Sequence, residues 1–143
     1  MHNAAMDTMT RALARLAAIA LLALLAACGG SAKRSPLEQS LYTYSSTIRW
    51  SEFDKALAFV DPEAPAREPL ALERLQQYQV SGYDVRSSEQ VSDTEYTQVV
   101  ELRVVNRHTQ AERTVTDRQR WRWDPEAKRW WLVVGMPDLW KGQ

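Results

Sequence analysis

Arg118, Arg120 and Arg122 recur at every second position, and on an extended strand that spacing aligns three guanidinium groups on one face. A guanidinium binds carboxylate or phosphate in bidentate fashion, so this ladder is a candidate contact for an acidic partner or an anionic lipid surface. The ordinary use of the same pattern is a solvated sheet face whose arginine stems cover neighbouring aromatics. The second unusual feature is six tryptophans: Trp50, Trp121, Trp123, Trp130, Trp131 and Trp140. Trp121 and Trp123 share one parity and Trp130 follows across a turn, which suits cross-strand packing. Trp131 has the opposite parity from Trp130, so it is the tryptophan expected to be exposed and the one to join a partner contact or a sugar-stacking platform.

Acid–base chemistry has few candidates. Asp54 on a helix and Asp84 on a strand are the carboxylates to consider, because burial in a pocket would raise a carboxyl pKa and permit proton transfer. Asp61, Glu95 and Glu101 complete the acids that a pocket could recruit, and nothing in the spacing of the five pairs them. His2 lies near the N-terminus and His108 in a polar hairpin tip beside Arg107, away from any shielded nucleophile. Cys28 is the single cysteine, which excludes an intrachain disulfide and a Cys-rich metal site. Glycines 29, 30, 82, 135 and 142 form no phosphate-cradling loop. No metal or cofactor is expected. With 18 basic against 18 acidic residues the chain is formally neutral, which removes the electrostatic reason for a nucleic-acid partner.

The elements that must position these residues follow from periodicity. Ser35-Pro36-Leu37-Glu38 combines a capping serine, proline at the first helical position and glutamate at the third. Leu37, Leu41, Tyr44 and Ile48 then form one apolar stripe, continued by Phe53, Leu57 and Val60, so 36 to 60 is one bent amphipathic helix or two consecutive ones. Asp61-Pro62 ends it, a proline-rich loop runs to Pro69, and a short helical turn is expected from Leu70 to Gln76. Beyond that point the period becomes two. Tyr78, Val80 and Gly82 alternate with Gln79, Ser81 and Tyr83, and three further alternating runs surround Val100, Trp121 and Trp130. Ser87 to Asp93, Asn106 to Thr109 and Asp124 to Ala127 read as the connections, all short enough to make neighbours antiparallel. Helices first and strands afterwards define an α+β fold, the helix packed on a four-stranded meander.

The first residues carry an address. Arg11 and Arg15 precede an uncharged run of twelve residues, Leu16 to Ala27, about 18 Å long as a helix and too short to cross a hydrocarbon core of about 30 Å. A charged segment followed by a short apolar run reads as a secretory signal. Leu25-Ala26-Ala27-Cys28 resembles the lipobox of bacterial lipoproteins. The resemblance implies cleavage after Ala27 and lipidation of Cys28, so 1–27 is a signal peptide, 28–35 the lipidated cysteine with a short flexible tether, and 36–143 a single domain. Gly29 after the cysteine implies the outer membrane, on its periplasmic face, in a host with two membranes.

Helix order, the Pro-rich loop, Ile48-Arg49-Trp50 with Phe53 and Ala56, and the aromatic ending Trp121, Trp123, Asp124, Trp130 and Trp131 resemble the NTF2-like, or cystatin-like, α+β superfamily. The resemblance implies a sheet that curls around helices to form a cone, in enzymes and binding proteins alike. The expected function is therefore a membrane-anchored, periplasm-facing, non-catalytic binding or scaffolding domain. The alternative is a small-molecule-binding or degenerate NTF2-like enzyme using Asp54 or Asp84 as a pocket carboxylate.

Overall fold

The Ser35 hydroxyl accepts the Glu38 N–H at 3.2 Å while the Glu38 carboxylate accepts the Ser35 N–H at 2.8 Å, so the start of the first helix satisfies two otherwise orphaned donors. The computed structural model describes residues 35–64 and 71–140, within the unit Arg34–Gln143. The expectations about the leader and Cys28 lie outside the described residues. Helix α1 spans Pro36–Arg49 and buries Tyr44, Thr47 and Ile48. Its end is local: Ser51 takes φ 57°, a left-handed conformation that cannot continue the helix, and the Glu52 N–H returns to the Thr47 carbonyl at 2.8 Å. A second segment, α2 (Phe53–Ala56), winds directly into a 3₁₀ turn, Leu57–Phe59. The 3₁₀ winding carries Leu57 off the apolar stripe, which leaves it 43% exposed while Phe53 is buried. A short α3 (Ala71–Leu75) precedes the sheet.

Four strands follow, β1 (Tyr78–Ser92), β2 (Glu95–Asn106), β3 (Glu112–Asp124) and β4 (Arg129–Leu132), paired antiparallel in chain order. The expected polar connection from Ser87 is instead strand as far as Ser92, and the turn is only Asp93 and Thr94. Val85 to Ser92 are all exposed, so backbone pairing with β2 holds this half of β1 without the apolar alternation that marks a strand in sequence. β1 also carries register shifts between Val80 and Gly82, Val85 and Ser87, and Gln90 and Ser92. The first places Ser81 in a bulge and reverses the parity after it. Tyr83, expected opposite Val80, therefore pairs with Leu102 and points inward.

One core joins the layers. Tyr44 and Ile48 of α1 and Phe53 and Ala56 of α2 cluster with Val80, Val100, Leu102, Val104, Trp121 and Leu132 of the sheet. Trp121 is fully buried, its ring edge-on to Tyr44 at 5.2 Å and to Phe59 at 6.4 Å. The short β4 is extended on its outer side by a parallel bridge from Val60, with the Asp61 N–H on the Leu132 carbonyl at 2.9 Å. Gly135, at φ 79°, then turns the chain so that Met136 and Leu139 return to the core.

A fragment of residues 33–143 is expected to unfold in one cooperative transition. Trp121→Ala should lower its stability by about 3–5 kcal/mol in urea titration, because the cavity opens where helix and sheet meet. A loss under about 1 kcal/mol would show that Trp121 is not this junction.

Candidate anion-binding face

Along β3 the side chains of Val115, Asp117, Gln119 and Trp121 are buried and those between them are exposed. Arg118, Arg120 and Arg122 therefore all lie on the outer face of the sheet, as the parity predicts. Their partners differ. Arg122 donates to the nearly buried Asp61 carboxylate at 2.6 Å, across 61 residues of chain. The Glu63 N–H and then the Arg122 guanidinium hold the Asp61 carboxyl below the ordinary aspartate range. Arg122 is thus a clasp between β3 and the segment after the 3₁₀ turn.

Two more outer-face arginines are also held. Arg86 pairs with Glu101 in a two-point contact, which lowers the Glu101 carboxyl, and Arg103 lies 3.5 Å from Asp84. Arg103 reaches across Gly82, where a Cβ would collide with its guanidinium, so the absence of a side chain at 82 is what gives Arg103 its path. Arg118 and Arg120 have no carboxylate partner among the described residues. Both line an open groove of about 650 Å³ together with Ser87, Glu89, Thr97 and Val99. A second groove, about 370 Å³, lies between Arg120, Arg122, Glu95 and the Asp61 segment.

The two candidate acids are not brought together. Asp54 is exposed on α2, and Asp84 is outward, paired in register with Glu101 and held by Arg103. The bulge at Ser81 turns Asp84 outward, and Phe53 and Ala56 take the inward side of α2 and leave Asp54 in solvent. Trp131 is also corrected: it is half-buried, its indole N–H donates to Asp124 at 3.2 Å, and the Arg129 guanidinium stacks on its ring at 3.9 Å. Trp50 is the exposed tryptophan instead, at 78%, because Ser51 turns the chain immediately after it. His108 is exposed in the hairpin tip, its N–H capped by the Asn106 side chain.

A buried polar network on the inner face has no counterpart among the sequence candidates. The Gln98 amide donates to Gln119 at 2.6 Å and to the Tyr83 hydroxyl at 3.2 Å. Gln119 donates in turn to Tyr83 and Asp117, and the Trp121 N–H donates to Gln119. Burial, and secondarily the Asp117 charge, push the Tyr83 phenol upward, which keeps it neutral and hydrogen-bonded. The signal was present in the parity: Gln98 falls in line with Val100 and Leu102, and Asp117 and Gln119 with Val115 and Trp121. Among the described residues, no three His, Cys, Asp or Glu side chains gather as metal ligands.

In fold, the chain is similar to a SEC-C motif containing protein from Rhodopseudomonas palustris whose solution structure is known. The TM-score is 0.55 at 17% identity, over 73% of this chain and 82% of that one. That likeness shows an α+β fold with a four-stranded antiparallel sheet. No family model matches the sequence, and no curated protein matches it.

Arg122→Gln is expected to lower the melting temperature clearly more than Arg118→Gln with Arg120→Gln combined, since unpaired exposed substitutions normally change stability by less than about 0.5 kcal/mol. Because the folded Asp61 carboxyl titrates below its unfolded value of 3.8, its contribution is complete above about pH 4 and fades as acid protonates it in the folded state. Asp61→Asn should therefore flatten the acid limb of a stability–pH profile and leave the slope near neutrality unchanged. An acid limb of the same steepness in the variant would remove Asp61 from that role. Gln119→Leu, which deprives Tyr83, Asp117 and Trp121 of a shared partner, should cost about 1–3 kcal/mol in denaturant. A neutral result would mean that the network is dispensable.

Proposed function

We propose that the protein is a lipid-anchored lipoprotein of the cell envelope, facing the periplasm from the outer membrane, whose NTF2-like domain binds a partner rather than catalysing a reaction. The anchor rests on the leader charges, the twelve-residue apolar run and Leu25-Ala26-Ala27-Cys28. The NTF2-like assignment is supported by helices preceding a four-stranded meander and by the aromatic residues that join them. The binding role is carried by one observation, the guanidinium groups of Arg118 and Arg120, which have no carboxylate partner among the described residues, beside an open groove. A guanidinium left without a carboxylate next to three that have one is available for an external anion. The enzymatic alternative needs a carboxylate inside a pocket, whereas Asp54 lies in solvent and Asp84 faces outward beside Arg103.

The anchor is tested by Cys28→Ser with fractionation and intact-mass measurement. The native protein is expected in the membrane fraction, beginning at Cys28 and carrying acyl mass, and the variant is expected to lose that mass and retain its leader. A variant with the same processed N-terminus and the same mass added beyond the polypeptide as the native protein would overturn the lipoprotein reading.

A further inference from the structure

We propose that the groove flanked by Arg118 and Arg120 binds an extended peptide of about three residues, its terminal carboxylate seated between the two guanidinium groups. This deepens the binding role given above and rests on the reading of the outer sheet face as a binding surface.

The register supplies the geometry. Ser87, Val99 and Arg118 stand in one outward row across three strands, and Glu89, Thr97 and Arg120 in the next. Rows on one face are two residues apart, about 7 Å, and crossing from β3 to β1 covers two strand spacings, about 10 Å. All six residues line the groove, so it runs between the rows and across the strands. Its chemistry is graded along that path. Two guanidinium groups flank the groove on β3 with Val134 beyond them, Val99 and Thr97 wall the middle, and Ser87 and Glu89 close the β1 end.

One carboxylate between two guanidinium groups receives charge-assisted hydrogen bonds from both sides. Three extended residues span about 10 Å, the distance from the guanidinium pair on β3 to Glu89 on β1. At its far end the peptide meets Glu89, which repels a second anion and attracts an ammonium. The face beyond the groove favours a discrete ligand over a membrane. Arg86, Arg103 and Arg122 are each neutralised by Glu101, Asp84 and Asp61, whereas adsorption to anionic lipid adds up unpaired cations over an area.

The test is calorimetric titration of the full chain in detergent with trialanine, its C-terminal amide and its N-acetyl derivative. Saturable binding of trialanine is expected, weakened by about tenfold or more in the amide, and weakened similarly by Arg118→Gln or Arg120→Gln. Arg118→Lys, which keeps the charge and loses the fork, should fall between. Glu89→Gln should weaken trialanine and leave the N-acetyl peptide unchanged. Arg122→Gln, measured below its unfolding temperature, should bind as the native protein does. Equal affinity for acid and amide, indifference to both arginine substitutions, or no saturable binding up to about 10 mM would overturn the proposal. Arginine-dependent binding to phosphatidylglycerol vesicles without binding of trialanine would overturn it in favour of a lipid surface. Cys28→Ser should leave trialanine affinity unchanged, so failure of the anchor and failure of the groove give different results.

Discussion

The burial of Trp121 is the constraint on which the described fold depends. Its ring is closed in by Tyr44 of α1 and by Phe59 of the 3₁₀ turn, which themselves meet edge-on at 5.8 Å. Such edge-on pairs are worth about 0.5–1.5 kcal/mol each beyond the area they bury. Side chains on a strand alternate between faces, so the register that buries Trp121 also turns Arg118, Arg120 and Arg122 outward. A slip of β3 by one residue would bury three guanidinium groups and expose the largest core residue. The aromatic junction thus sets the position of the cationic face without touching it.

The indole N–H extends that control to the neighbouring strands. It donates to Gln119, which is bonded to Gln98 on β2, and both glutamines donate to Tyr83 on β1. Buried amides and hydroxyls are costly unless paired, so a network that spans three strands is satisfied in one register only. Tyr83 can take part because the Ser81 bulge reverses the parity of β1 just before it. On the free edge of β1 the Val80 N–H donates to the Ser51 hydroxyl and the Tyr83 carbonyl accepts from Arg49. The end of α1 therefore covers the stretch of edge that the bulge disturbs, and exposed bulged pairing takes over beyond it.

Local signals made much of this legible in the sequence. The capping box at Ser35, the stripe from Leu37 to Ile48, the short α3 and the outward parity of the arginines all come from interactions within a few residues. The information that stayed hidden is non-local. Bulges in β1 depend on how β2 accommodates an extra residue, so Tyr83 and the length of β1 could not be read from alternation alone. Asp61 meets Arg122 only after the sheet has formed, and Trp131 is covered by Asp124 and Arg129 through the geometry of one tight hairpin. Arg118, Arg120 and Arg122 all take the outward position that their spacing suggests, and the partners of Arg122 and Trp131 are neighbours that periodicity does not reveal.

The pairing of Arg122 follows from the length of β4. With four residues, it gives β3 a short partner and leaves its own outer edge in need of one. The chain supplies this with Val60 and Asp61, and Arg129 adds a hydrogen bond from its guanidinium to the Ala58 carbonyl at 2.6 Å. Asp61 must then bring a carboxylate into a nearly buried site, which is tolerable only beside a cation, and Arg122 is the β3 residue within reach. The arginine ladder consequently changes role along its length. At the β4 end it is committed to closing the fold, and two and four residues away, where β3 is flanked by the longer β1–β2 hairpin, the same side chain type has no carboxylate partner among the described residues. Arg120 lines both grooves, so it stands between the clasp at Arg122 and the groove beside Arg118.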